Sequence, residues 1–405
     1  MPGGDRVDEV TERRKTMSIC FDLTTEQEEI KRQAGEFGKR EVAPIAAEID
    51  EKDEMPWELI KKMGQPPHRY MAMYIPEEYD GTAWPILDIC IAAEEITYAS
   101  QSAMAGMLME APGLAPTTIL AGGNEEQKKK YVAPVARGEA FGAFGLTEPS
   151  VGSDASALET VAEMKNGKYV LNGRKRYMSF AHAADWGVVM AKTDPSKGAR
   201  GISAFVIEKG THGYSVIEKV PTMGCRGHQD EEVLFKDCVL PKEQLVGEEG
   251  KGLKYALSTL DETRTTLAAG FVGLTRAALE EAVKYAKSRH AFGHPIGEYQ
   301  LVSFSLGDIA TEIEAARLLV YKAAILADKK VKHSAETASA KAFASQLLLK
   351  ATNLAVEVHG GFGCTKRHPV ERMFRDARTW VFAQGAPYVQ RLVNARSLFP
   401  ELTIR

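Results

Sequence analysis

The sequence predicts a multi-domain α+β chain that runs helical, β-rich, helical, and three observations carry that expectation. Apolar residues recur at helical spacing from Leu23 through the first third of the chain. From Gly138 the period changes to alternation, in runs such as Lys168–Phe180, Trp186–Thr193, Gly201–Lys209 and Glu231–Leu240, punctuated by Asn-Gly, Gly and Pro. Helical spacing returns at Gly252 and holds to Phe399. The expected division is a disordered leader over 1–20, a helical domain over 21–137, a β domain over 138–248 and a second helical domain over 249–405.

Taken in order, the start MPGGDRVDEVTERRK is polar and has no apolar core segment, so it reads as a leader rather than a signal peptide, with Met17 as a second start. Leu23–Asp50 is amphipathic, and Thr24 or Thr25 can cap it. A further helix starts at Pro56–Met63, Ile75–Gly81 (IPEEYDG) is a turn, and Leu87–Met109 reads as one long apolar helix interrupted by Glu94 and Glu95. In the last third, Thr266–His290, Gln300–Lys329 and Ala335–Val358 are long helices. No internal repeat is evident.

Composition excludes several classes of function. With 405 residues, 44% of them hydrophobic and 26% charged, the chain can bury a large core. Net charge is −4 and the basic residues are dispersed, which gives no footing for nucleic acid or a polybasic membrane anchor. Apolar runs stop well short of the roughly 20 residues that span a bilayer. The cysteines, Cys20, Cys90, Cys225, Cys238 and Cys364, form no C-x-x-C pair, which points to free thiols in a reducing cytoplasm and to no metal site.

Several stretches carry polar chemistry. Phe141–Ser156, FGAFGLTEPSVGSDAS, is either a glycine-rich connection or a loop whose hydroxyls and N–H groups hold a phosphate-bearing ligand. Asn172–Trp186 is a turn into a strand whose aromatics can simply pack in the core. Met223–Phe235 contains His228, which as a lone loop histidine reads as solvated rather than as an acid or base. Arg289 fits a basic helix C-terminus. Glu357–Arg391 is a glycine-pinched turn, a mixed-charge helix, and a second glycine turn opened by Gln384.

Together these stretches resemble the acyl-CoA dehydrogenases, FAD enzymes that desaturate acyl-CoA thioesters. The resemblance rests on Thr147-Glu148-Pro149 with Gly152-Ser153-Asp154, on Asp261 with Arg264, on Arg289, Phe292 and Gly293 with Gln300, and on Glu371-Arg372 followed by Arg375-Asp376-Ala377-Arg378. It runs from Leu23 to Phe399 and implies an N-terminal helical domain, a middle β-barrel and a C-terminal four-helix bundle. It implies that Leu146, Thr147, Ser153, Tyr177, Ser179 and Ala386 meet FAD. Arg289, Phe292, Gln300, Glu357, Gly360 and Gly361 would hold the FAD of a partner subunit in a homo-oligomer, a dimer of dimers. Ser153, Asp261, Arg264 and Gly385 would hold the CoA thioester, with Asp261 and Arg264 either meeting its adenosine end or bracing the pocket. An electron-transferring flavoprotein is the implied redox partner.

The departures are as informative. Where the family has Glu-Gly-Thr, with the glutamate as α-proton acceptor, this chain has Gln384-Gly385-Ala386, and an amide cannot accept a proton near neutral pH. An alternative glutamate used in one branch falls on Thr263, and Glu262 is turned about 100° away on a helix. Phe180-Ala181 replace an Asn-Gly pair, and Glu357 replaces a glutamine. Glu110, in the apolar stretch MLMEAPGLAP, resembles the acid used by a branch that oxidises alicyclic acyl-CoAs, and it reads either as a relocated base or as a pocket wall. Three functions stay open: an acyl-CoA dehydrogenase of a cyclic, branched or unsaturated substrate, an enoyl-CoA reductase or eliminating enzyme, and a flavin- and acyl-CoA-binding homologue without turnover.

Overall fold

A computed structural model describes residues 22–402, apart from the side chains of residues 110–112. The expected leader, Met17 and Cys20 lie outside the described residues. Thr24 caps helix α1, Thr25–Phe37, through a capping box in which its hydroxyl accepts from the Gln27 N–H while the Gln27 side chain accepts from the Thr24 N–H. The helix expected over Leu23–Asp50 is broken by a π turn at Gly38–Val42 and a 3-10 turn containing Pro44, before α2 resumes at Ala46–Lys52. Helix α3 is Trp57–Gly64.

The long apolar helix expected at Leu87–Met109 is two helices, α4 (Ile86–Ser100) and α5 (Ala103–Gly122). Gln101 adopts a left-handed φ of 53°, and Ser102 caps α5 by accepting from the Met104 N–H. That corner reads poorly in sequence because the apolar pattern continues through it. Glu94 and Glu95 are buried in α4 and neutralised by Arg276, with Arg317 also on Glu94.

The β domain is one eight-stranded sheet: β1 (Gly142–Gly145), β2 (Val161–Lys165), β3 (Lys168–Ser179), β4 (Trp186–Lys192), β5 (Ile202–Glu208), β6 (Tyr214–Lys219), β7 (Asp230–Leu240) and β8 (Leu245–Val246). The order is β6-β7-β3-β2-β4-β5-β8, with β1 parallel to β4. β3 and β7 are antiparallel, and Ser179 stands opposite Asp230.

Helix α6, Gly252–Ser288, is longer than its expected Thr266–His290 and packs against α4, α5 and the later helices α7 (Gln300–Asp328) and α8 (Ser334–His359). A short hairpin, β9 (His290–Ala291) with β10 (His294–Pro295), links α6 to α7. Helices α9 (Pro369–Trp380) and α10 (Pro387–Leu398) complete the chain, with Trp380 fully buried edge-on to Phe271, ring centroids 4.9 Å apart. Among the described residues no helix is long and apolar enough to cross a membrane.

Candidate active site

A cavity of about 750 Å³ lies where the β domain, α5, α6 and the α9–α10 turn meet. Its size suits a large organic ligand rather than an ion. Of the residues singled out in sequence, Leu146, Thr147, Ser153, Tyr177, Ser179, Arg264, Gln384, Gly385 and Ala386 line it. They come from segments more than 200 residues apart, and the fold brings them to one chamber.

The turn at 383–386 is held through its backbone. Gln384 has a left-handed φ of 51° and Gly385 a φ of 100°, a conformation that favours glycine. Arg264 Nε donates to the Gln384 carbonyl at 2.9 Å, and Asp261 steadies the guanidinium at 3.0 Å. Fully buried Lys341 donates to the carbonyls of Val381 at 3.2 Å, Ala383 at 2.6 Å and Gly385. The side chain of residue 384 takes no part in that bracing. Its Oε1 accepts from Thr263 Oγ1 at 2.9 Å. Asp261, expected at the substrate, stands behind Arg264 and outside the lining.

The loop before β2 is fixed from beneath. Glu148 is buried and accepts from Lys175 Nζ at 2.7 Å and from the N–H groups of Thr160 and Glu159. Burial opposes ionisation of Glu148, but the Lys175 charge and these donors hold its carboxyl below the usual range. Burial pushes the Lys175 amine down to about 8. Lys175 also donates to the Leu146 carbonyl at 3.2 Å, and the Arg176 N–H to the Thr147 carbonyl at 2.9 Å. Leu146 and Thr147 therefore present themselves to the cavity from a locked frame. Tyr177, at φ 60° and 53% exposed, offers a bare aromatic face there.

The opposite expectation for His228 is corrected. It is 6% exposed, lines the cavity and meets Phe180 edge-on at 4.6 Å, rather than being solvated. The reason lies in α9. Asp376 accepts from the Cys225 N–H at 2.7 Å and from the Ala103 N–H at 3.3 Å, and Thr379 accepts from the Gly224 N–H at 3.0 Å, so the loop is pinned inward. A Cβ at Gly224 would sit 2.2 Å from the Arg375 backbone, which excludes any side chain at that approach. Arg375 forms a two-pronged pair with Asp50 at 2.7 Å. The Arg-Asp-Ala-Arg stretch thus ties the N-terminal helices, the β domain and α9 together. Ser179 Oγ donates to Asp230 Oδ1 at 2.7 Å, and His228 Nδ1 lies 3.5 Å from the same oxygen. Asp230 and Lys341 were not singled out in sequence. Asp230 becomes visible only through the β3–β7 register, and Lys341 only through the packing of α8 on the turn.

Glu110 and one further group stand apart from these lining residues. Glu110 lies on α5, and its side chain is outside the described residues. Arg289, Phe292, Gln300, Glu357, Gly360 and Gly361 are all exposed and none lines the cavity, with Phe292 95% exposed at the β9–β10 tip. They share one outer edge, where the Tyr285 ring stacks on His359 at 4.3 Å and Phe362 lies beyond at 6.2 Å. Glu357 accepts from Asn353 at 2.8 Å.

Comparison with known proteins follows the same three divisions. Residues 24–139 match the family described as acyl-CoA dehydrogenase, N-terminal domain, residues 143–238 its middle domain, and residues 250–399 its C-terminal domain. A short-chain specific acyl-CoA dehydrogenase of Clostridium acetobutylicum is 41% identical over 94% of this chain and 99% of its own. An acryloyl-CoA reductase (NADH) of Anaerotignum propionicum is 38% identical over 96% of this chain and 97% of its own. The solved structure of PigA with FAD and proline has a TM-score of 0.90 at 27% identity, covering 94% of this chain and 99% of that one.

Proposed function

The chain belongs to the acyl-CoA dehydrogenase family, oxidoreductases of CH–CH bonds, and from that premise we propose an FAD-dependent dehydrogenase of an atypical acyl-CoA. Its acyl group is cyclic, branched or already unsaturated, and its α-proton goes to a carboxylate relocated from residue 384. The observation that carries this reading is Gln384 itself: a turn braced by Arg264 and Lys341 has been kept while its side chain is an amide held by Thr263. Glu110 on α5 is the acid nominated for the vacated role.

The cavity's donor set fits a flavin. An isoalloxazine needs an apolar flat neighbour and hydrogen-bonding groups at its polar edge, and Tyr177 with Leu146, then Thr147, Ser153 and Ser179, supply both. Bound there, FAD supplies a two-electron acceptor. Ala386 and Gly385 flank the ring and the thioester, and the Gln384 backbone N–H polarises the thioester carbonyl, a role independent of the side chain. Lys341, donating to the Ala383 carbonyl, holds the peptide plane that carries that N–H, and Arg264, with Asp261 behind it, holds the next one. The exposed set from Arg289 to Gly361 serves the FAD of a second copy, so the working enzyme is a homo-oligomer, and an electron-transferring flavoprotein is its redox partner in the cytoplasm.

Anaerobic mixing with a panel of acyl-CoAs tests the reading. Alicyclic or enoyl thioesters bleach the oxidised flavin, and Glu110→Gln lowers the bleaching rate by about 10²–10⁴-fold, the usual contribution of a general base. Bleaching that survives Glu110→Gln removes that residue from the role. The resemblance to an acryloyl-CoA reductase supports a second reading in the reductive direction. Product mass separates the two, by loss or gain of two hydrogens.

A further inference from the structure

The β-domain wall of the cavity carries a charge. Asp230 opens β7 opposite Ser179 at the end of β3, and both line the cavity together with Tyr177, two residues earlier on β3. Among the described residues Asp230 is the one acid in that lining. Ser179 Oγ donates to Asp230 Oδ1 at 2.7 Å, which couples the hydroxyl to the carboxylate. Burial alone would raise the Asp230 carboxyl, but the His228 imidazole, 3.5 Å away, and the Ser179 hydroxyl outweigh it and hold the group below the usual range. Asp230 is therefore ionised at neutral pH. The arginines of the lining are engaged elsewhere: Arg264 pairs with Asp261 at 3.0 Å, and Arg378 is exposed and lies over the Phe382 ring at 5.4 Å.

Tyr177 and Ser179 form the wall read above as the flavin's, with the Ser179 hydroxyl at the polar edge of the ring. Asp230 then stands one hydrogen bond behind that hydroxyl, about two hydrogen-bond lengths from the ring. Reduction adds two electrons, and when a single proton follows them the ring keeps one negative charge. A fixed anion at that range opposes such a charge by a factor of about ten or more in a partly buried site, and charge near the ring is one of the means by which a protein tunes a flavin. We propose that Asp230 sets the reduction potential of the bound flavin, holding it lower than a neutral residue at that position would. This rests on the reading of the cavity as a flavin site and assigns one further residue to it. Asp230 acts there through Ser179 and through its field, as a positioning residue rather than a catalytic one. A lower potential makes the loaded enzyme a stronger reductant of an enoyl thioester and a weaker oxidant of the saturated one, the balance on which the two readings above differ.

The midpoint potential of the flavin in the full-chain holoenzyme, measured anaerobically against reference dyes at mildly alkaline pH, tests this without any turnover. Asp230→Asn and Asp230→Ser raise the equilibrium constant for two-electron reduction about 10-fold, a rise of ~30 mV, whereas Asp230→Glu keeps the charge and stays within about 2-fold of the wild type. Flavin content and melting temperature are followed in the same samples, and the return of the wild-type potential in Asp230→Glu separates charge from a merely structural role. An unchanged or lowered potential in either neutral variant overturns the proposal, as does an Asp230→Glu variant that shifts as far as the neutral ones. Loss of flavin from both neutral variants overturns it too, by making Asp230 a residue that retains the cofactor. A wild-type protein that takes up no FAD sinks the flavin reading itself, a result distinct from all of these.

Discussion

The two walls of the cavity are built on opposite principles. On the α9–α10 side, Arg264 and Lys341 grip main-chain carbonyls, so this part of the hold on the 383–386 turn does not pass through the side chain of residue 384. On the β side the contact runs through side chains: Ser179 Oγ donates to Asp230 Oδ1 and the His228 ring lies 3.5 Å from the same oxygen, so a substitution there changes the wall itself. The difference teaches where chemistry can drift without loss of fold. Residue 384 can change with the main-chain grip of the first wall kept, whereas the second wall changes only as a linked group.

The most forceful way to break this contrast is Gln384→Glu. If the turn is indifferent to its side chain, a carboxylate there finds the thioester already in place. Exchange of the α-hydrogen of butyryl-CoA with deuterated solvent then rises by about 10²–10⁴-fold, the span of general-base catalysis. Unchanged exchange shows that the α-carbon does not reach residue 384, and the picture of a preserved turn with a lost acceptor falls.

Lys341→Met attacks the same wall from behind. The methionine keeps the volume but leaves the carbonyls of Val381 and Ala383 without their buried donor, while that of Gly385 still accepts from Gln390 Nε2 at 3.3 Å. Each unmet buried group costs ~1–3 kcal/mol, so a loss of about 4 kcal/mol is expected in urea unfolding. Thioester affinity falls with it. A variant that loses stability but keeps full affinity separates the turn from the binding site.

The frame beneath Thr147 offers an acid test. Glu148 has its folded pKa depressed below the ordinary 4.5. Its contribution is therefore fully present above that value and is lost as pH falls through the depressed one. Glu148→Gln removes this acid-sensitive share, flattening the fall of the melting temperature below pH 4.5. It also strips buried Lys175 of its partner, at about 3 kcal/mol near neutral pH. Unaltered acid unfolding would place the pair outside the cooperative core.

What the sequence made legible follows the same divide. Thr24, the three-domain order and the Thr147–Asp154 loop were readable because capping, periodicity and turn chemistry act over a few residues. The corner at Gln101 was hidden, since an apolar run looks alike in one helix or two. His228 seemed solvated because nothing in its neighbours reveals that Asp376, far along the chain, draws the loop inward. Asp230 gained meaning only from its register with Ser179, and Lys341 only from carbonyls some forty residues away. For Asp261 the sequence leaves open a CoA contact or a brace for the pocket, because helical spacing sets it beside Arg264 without saying which of the two faces inward; the structure puts it on the Arg264 guanidinium.

The mildest perturbation is the most discriminating for the comparison. Thr263 Oγ1 has one proton and faces two acceptors, the Thr259 carbonyl at 3.0 Å and Gln384 Oε1 at 2.9 Å. Thr263→Val removes the hydroxyl with little change in volume, whereas Thr263→Ser keeps it. Loss of one neutral hydrogen bond is worth ~1 kcal/mol, so thioester affinity drops by about 5-fold in the valine variant and hardly at all in the serine. The effect is small because the peptide that carries the carbonyl-binding N–H is held by Lys341 through the Ala383 carbonyl and not by the side-chain amide. A drop beyond 100-fold would mean that the Gln384 side chain itself holds the ligand, and the first wall would then work like the second.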